Sequence, residues 1–99
     1  MGVGLCFQEE KEKQVEYVSE GSIIILHFRT EDATWAKPIS IHDGNILLKG
    51  IQMFKESIGI TDRKIKYAVY ESNGSILNLN SKISELNIDY SSNITVVFK

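Results

Sequence analysis

A single amphipathic segment limits the folds that this sequence can adopt. It runs from Asp43 to Ile60 and reads DGNILLKGIQMFKESIGI. Its apolar residues recur at intervals of four, three and four positions, so they share one side of an α-helix. These residues are Leu47, Ile51, Phe54 and Ile58. Because the rest of the chain has the patterns of strands, turns and a tail, the sequence predicts one sheet that holds one helix.

Residues that start and stop helices stand at both ends of this segment. Asn45 is expected to cap the first turn by accepting a bond from a free backbone N–H. Gly59 is expected to take the left-handed conformation that ends a helix, and Ile60 to fold back onto the last turn. Gly50 lies inside the helix, where glycine costs about 1 kcal/mol relative to alanine. Its missing side chain is expected to let the helix lie close to the sheet.

Five segments have the alternating or apolar patterns of β-strands. They are Ser22–Thr30, Pro38–His42, Ile65–Glu71, Ser75–Leu79 and Asn93–Lys99, with a short helical turn at Ser81–Ile88 before the last. Pro38 predicts an edge strand because proline cannot donate to a β-ladder. The predicted inward residues are Ile24, Leu26 and Phe28, then Ile39 and Ile41, then Ile65, Tyr67 and Val69, and finally Ile94, Val96 and Phe98. The residues between them are expected to form an outer face.

Composition excludes several classes of function. The 99 residues carry a net charge of −2, which gives no electrostatic reason to expect binding to nucleic acid or to an anionic membrane. The single cysteine, Cys6, excludes an internal disulfide and suits a reducing, intracellular compartment. No run is long enough to span a membrane. We find no phosphate loop, no catalytic constellation and no metal-ligand spacing around His27 or His42, so we expect neither enzyme, cofactor nor metal.

The first 21 residues are predicted to be a disordered or weakly ordered acidic arm, followed by one domain over residues 22–99. Val15, Tyr17 and Val18 are too few to predict an element. Gly2 and Cys6 resemble an acylated start, with myristate and palmitate as the two anchors. The acidic run that follows them opposes binding to anionic lipids, so an unmodified arm is the preferred interpretation.

The order of elements resembles the ubiquitin-like β-grasp. The last part of the chain, KISELNIDYSSNITVVFK, is similar to the last quarter of ubiquitin, and GIQMFKESIGI is similar to ubiquitin's helix with its terminal Gly-Ile pair. The resemblance implies an α+β fold, in which a mixed four- to five-stranded sheet packs on one helix in the order ββαββ. It also implies that the first strand lies in the middle of the sheet, beside the last, and that the third strand lies next to the last.

A narrower resemblance is to the DWNN domain, which opens retinoblastoma-binding protein 6 and the Mpe-type factors of messenger-RNA 3′-end processing. It depends on Phe28-Arg29-Thr30, on Asp43-Gly44 and on Val69-Tyr70. The acidic arm and the segment NGSILNLN depart from that pattern. The sequence ends at Phe98-Lys99 without a Gly-Gly, so the resemblance implies a domain that is bound by other proteins and not conjugated to them. The alternative is a β-grasp scaffold or recruitment domain of the FERM or Ras-association type.

On a β-grasp the outer face of the sheet is expected to bind a protein partner, with the isolated domain as a monomer. The candidate residues are Ile25, His27, Arg29, Lys66, Ala68, Tyr70, Thr95, Val97 and Lys99. Val97, Ala68 and Ile25 would form an apolar centre, and the basic residues would form its rim. The alternative is an ordinary solvated face, since isolated apolar surface residues need no explanation. Trp35 is expected either to cover the edge of the core or to be an exposed interface anchor.

Overall fold

The structure is a computed structural model that describes residues 14–99. Its elements are β1 (Ile23–Thr30), β2 (Ala36–His42), α1 (Leu47–Ile58), β3 (Ile65–Tyr70), β4 (Ser75–Ile76), a 3₁₀ turn (Ile83–Glu85) and β5 (Asn93–Phe98). The predicted order of elements is confirmed, and most bounds agree with the predicted ones to within two residues. The expectations for Gly2, Cys6 and the rest of residues 1–13 lie outside the described residues.

The five strands form one mixed sheet in the order β2-β1-β5-β3-β4. β1 and β5 are parallel, and the other pairs are antiparallel. The predicted edge position of β2 is confirmed, and its backbone explains why Pro38 is tolerated there. His42 directs its N–H away from β1 and donates it to the Tyr17 hydroxyl at 3.1 Å. Pro38 lies four residues earlier, at a position whose N–H would face the same open side.

The core lies between α1 and one face of the sheet. Phe28 of β1 stacks on Phe54 of α1 with ring centroids 5.5 Å apart. Both rings are almost fully buried, as are Leu47 and Ile51 of the predicted apolar stripe. A Cβ at Gly50 would lie 3.3 Å from Cζ of Phe28, so this glycine lets the helix approach the sheet closely.

The prediction for α1 is wrong at the start of the helix and correct at its end. The predicted cap at Asn45 is wrong: the residue before the helix is Ile46, no side chain caps the first turn, and the Asn45 amide has other partners. The predicted end at Gly59 is confirmed by its φ of 77°. The N–H groups of Gly59 and Ile60 donate to the carbonyls of Glu56 and Lys55, which is the Schellman arrangement.

The prediction of which β3 side chains face the core is wrong after Ile65, the first residue of the strand. Ile65 pairs with Phe98, but Tyr67 pairs with Val97, so Lys66 is an extra residue at a β-bulge. The extra residue reverses the alternation, since a shift of one position moves every later side chain to the other face. Ala68 and Tyr70 are therefore buried in the core, and Tyr67 and Val69 lie on the outer face.

Residues 14–21, here called the arm segment, have no regular secondary structure but are hydrogen-bonded to the domain. Val15 N–H donates to Oε1 of Gln52, and Val18 exchanges two bonds with the amide of Asn45. Glu20 accepts a bond from the N–H of Gly44. The predicted boundary between residues 21 and 22 stays a prediction, but these bonds attach the arm segment to α1 and to the loop before it. Within residues 14–99, Ile23 and Ile25 on the outer side of β1 remain exposed.

Candidate functional site

The outer face is the side of the sheet opposite α1. Its β1 residues show the predicted alternation, with Ile25 51% exposed and with His27 and Arg29 half-buried. Ile23 continues the same row and is 66% exposed. After the correction of β3, the outer face consists of Ile23, Ile25, His27 and Arg29 of β1, Tyr67 and Val69 of β3, and Thr95 and Val97 of β5.

An ionic cluster occupies the centre of this face. Nε of Arg29 lies 3.0 Å from Oε2 of Glu71, which follows β3, and the Thr95 hydroxyl donates to the same carboxylate oxygen. The Nε–H is not aligned for a hydrogen bond, so the contact is an ion pair only. Both side chains are about one-third exposed, where such a pair contributes roughly 0–1 kcal/mol. Because Glu71 neutralises Arg29, this residue does not provide the free positive charge predicted for the rim.

The apolar part of the face lies at one end of β1. β5 begins opposite His27, so Ile23 and Ile25 have β2 on one side and no described strand on the other. The residues opposite them in β2 are His42 and Ser40, which are polar. The structure therefore places two exposed isoleucines side by side, where the sequence predicted an apolar centre formed with Ala68 and Val97.

The shape of the domain can be compared with known structures. It is similar to the solution structure of the N-terminal ubiquitin-like domain in the 4931431F19Rik protein. The TM-score is 0.60, and the match covers 89% of this chain and 91% of that one. This chain has a ubiquitin-like fold. The two sequences are 16% identical, a level at which the likeness shows the fold alone. No family model and no curated protein matches the chain.

Three of the remaining predicted site residues, Val97, Lys66 and Lys99, lie at the margins of the outer face. Val97 is on this face but only 7% exposed, beside its cross-strand neighbour Tyr67. Lys66 is exposed at the bulge, with Nζ 5.9 Å from the centroid of the Tyr67 ring. Lys99 is exposed just beyond β5. These residues form a second, more polar end of the face, and Ala68 and Tyr70 are not part of it.

Residues 14–99 also bear on three other expectations from the sequence, namely metal binding, a membrane span and the position of Trp35. No three of the described histidine, cysteine, aspartate and glutamate side chains are grouped so that they could hold a metal ion. His42 instead has its Nδ1 2.7 Å from the Tyr17 hydroxyl. None of the described helices has the length and apolar character needed to cross a membrane. Trp35 is 42% exposed and borders a cavity at one end of the core, so it is not a buried core residue.

Sequence reasoning missed three parts of the outer face of the ubiquitin-like domain. The prediction omits Ile23, although this residue precedes Ile25 by two positions and the alternation of β1 is a signal that identifies it. The prediction places Tyr67 and Val69 in the core, because the bulge at Lys66 has no clear sequence signal. The ion pair of Arg29 with Glu71 depends on the neighbouring positions of β1, β5 and β3, which become visible only in the folded sheet.

Proposed function

We propose that this ubiquitin-like domain is a non-catalytic module that binds another protein through its outer face. The supporting observation is the exposure of Ile23 and Ile25, 66% and 51%, on the side of the sheet that α1 leaves uncovered. Burial of such side chains against an apolar partner surface contributes about 25 cal/mol per Å² removed from water. The polar residues around them have the character of an interface rim.

The partner in this proposal has an apolar centre and a mixed polar rim. Arg29 is paired with Glu71, so the partner does not need an acidic group opposite that arginine. Lys66 and Lys99 remain exposed at the other end of the face, where they would steer a partner with acidic residues. A place in the ubiquitin pathway or in messenger-RNA 3′-end processing is supported only by the sequence resemblance.

The alternative of a FERM or Ras-association type of module predicts a strong basic cluster near the first hairpin. The tip of that hairpin carries Glu31 and Asp32, and both are exposed. This charge does not favour the alternative, so binding through the outer face is the function we propose.

The experiment captures partners with the wild-type domain and with Ile25→Asp side by side, and quantifies both sets by mass spectrometry. Asp at position 97 is unsuitable, because Val97 is 7% exposed and a carboxylate there would be buried without a partner. The matched control is Asn80→Asp, which adds the same charge at an exposed position in the loop that contacts the start of α1. Partners lost with Ile25→Asp and kept with Asn80→Asp support the proposal. An unchanged set of partners with Ile25→Asp contradicts it.

A further inference from the structure

A cavity of about 310 Å³ opens at the end of the core, away from the outer face. It lies between the tip of the β1–β2 hairpin, the end of β5 and the segment after α1. Its apolar walls are Trp35, Ile60, Val96 and Phe98. Val96 is fully buried on the helix side of the sheet, so this cavity and the outer face are separate. Its volume is near the lower limit of known ligand sites, roughly 300 Å³, which suits one long side chain.

The hairpin tip beside this cavity is held in one conformation by its own hydrogen bonds. Oδ1 of Asp32 accepts bonds from the Thr30 hydroxyl at 2.7 Å and from the Thr34 N–H at 3.0 Å. The N–H of Trp35 donates to the Thr30 hydroxyl oxygen at 3.1 Å. The donors around Asp32, first the Thr34 N–H, hold the pKa of its carboxyl below the usual value, so it is ionised at neutral pH. The Asp32 carboxylate and the backbone N–H of Trp35 are therefore held in place before a ligand binds.

The charges around the cavity favour a cationic occupant. Glu31 and Asp32 border it, and Arg63 is the one basic residue among the described residues that line it. Nη2 of Arg63 donates to the main-chain oxygen of Lys99 at 3.1 Å, and its guanidinium lies 5.1 Å from the centroid of the Phe98 ring. Arg63 is thus held against the end of β5. The two carboxylates of Glu31 and Asp32 give the lining of the cavity more negative than positive charge.

We propose that this cavity binds the side chain of a lysine or arginine from a partner protein. The aliphatic stem would pack on Ile60 and on the Trp35 ring, as long basic side chains do on apolar surfaces. The positive end would lie between the carboxylates of Glu31 and Asp32 and next to the face of the Trp35 ring, which attracts cations. The proposal does not depend on the outer face, since none of these residues lies there.

The test titrates the full chain with Nα-acetyl-lysine-N-methylamide and follows amide NMR shifts together with the fluorescence of Trp35, the only tryptophan in the sequence. A ligand of about 14 heavy atoms at about 0.3 kcal/mol per atom gives a Kd on the order of 1 mM. The matched ligand is Nα-acetyl-norleucine-N-methylamide, which has the aliphatic stem without the charge. We expect saturable shifts at residues 30–35 and 60–63 with the lysine ligand, and binding at least about tenfold weaker with norleucine.

Two variants change the charge of the cavity in opposite directions. The double variant Glu31→Gln/Asp32→Asn keeps an oxygen acceptor at position 32 and is expected to weaken lysine binding about tenfold. Arg63→Gln removes the competing cation and is expected to strengthen it. Amide spectra outside the hairpin check that each variant is folded. Equal binding of norleucine and lysine, shifts away from the cavity, or unchanged affinity in the double variant would overturn the proposal.

Discussion

The side-chain amide of Asn45 is paired with both backbone polar groups of Val18. Oδ1 accepts the N–H of Val18, and Nδ2 donates to its carbonyl, each at 2.7 Å. Nδ2 also donates to the carbonyl of His42 at 2.9 Å, and Asn45 is only 1% exposed. One buried amide therefore connects the arm segment to the end of β2, which makes residues before the predicted boundary part of the folded unit.

Replacing Asn45 by alanine is expected to destabilise the domain by about 2–4 kcal/mol, because it leaves the part-buried N–H and carbonyl of Val18 without these partners. The His42 carbonyl loses only the side-chain bond, since it also accepts the backbone N–H of residue 45. Urea denaturation followed by circular dichroism measures this change. Compared with a chain that starts at Gln14, one that starts at Ser22 is expected to lose a similar 2–4 kcal/mol. Equal stability of the two shortened chains would show that the arm segment contributes nothing.

The bulge at Lys66 is tested by placing leucine at two adjacent positions of β3. Ala68 is fully buried against the core, so Ala68→Leu is expected to cost about 1–3 kcal/mol through overpacking. Val69 is half-buried on the outer face, so Val69→Leu is expected to change stability by less than about 0.5 kcal/mol. Thermal unfolding of both variants gives the comparison. A larger loss for Val69→Leu would restore the orientation that the sequence alone predicts.

β3 shows why the sequence alone does not determine which side of every strand faces the core. In β1 apolar and polar residues alternate from Leu26 to Arg29, so only one orientation buries its apolar side chains. In β3 apolar or aromatic residues occupy four successive positions, Tyr67 to Tyr70, so both orientations bury apolar surface. The bulge at Lys66 decides between them, and it depends on pairing with β5. The helix and strand order were predictable because their patterns are local, whereas the attachment of the arm segment and the central ion pair depend on distant partners.

Gly59 allows the cost of backbone strain to be measured without a steric clash from the added side chain. Its φ is 77°, and a Cβ added there would meet no atom within 4 Å. Gly59→Ala is therefore expected to cost about 1 kcal/mol, from the left-handed conformation alone. Gly74 has a φ of 74° and equally open surroundings, so Gly74→Ala is expected to cost the same amount. A loss above about 3 kcal/mol in either variant, measured by urea denaturation, would contradict this explanation.

The Asp32 carboxyl is expected to titrate below its usual pKa, first because of the Thr34 N–H and then because of the Thr30 hydroxyl. A pKa that is lower in the folded than in the unfolded state stabilises the fold above the unfolded value, and this stabilisation is lost as pH falls through the folded value. The hairpin is therefore expected to weaken below about pH 4. Carboxyl NMR titration measures the pKa. In Thr30→Val it should rise towards the usual value, and an unchanged pKa would show that the hydroxyl has no effect.

The outer face is tested most directly by measuring the affinity of a captured, purified partner for matched variants. Ile23→Asp and Ile25→Asp are compared with wild type and with Asn80→Asp by calorimetry, after circular dichroism has shown that all four are folded. If the two isoleucines are central to the interface, each substitution should cost at least about 2 kcal/mol, a rise in Kd of about thirtyfold, while Asn80→Asp stays near wild type. Dissociation constants within twofold of wild type for both isoleucine variants would contradict binding through this face.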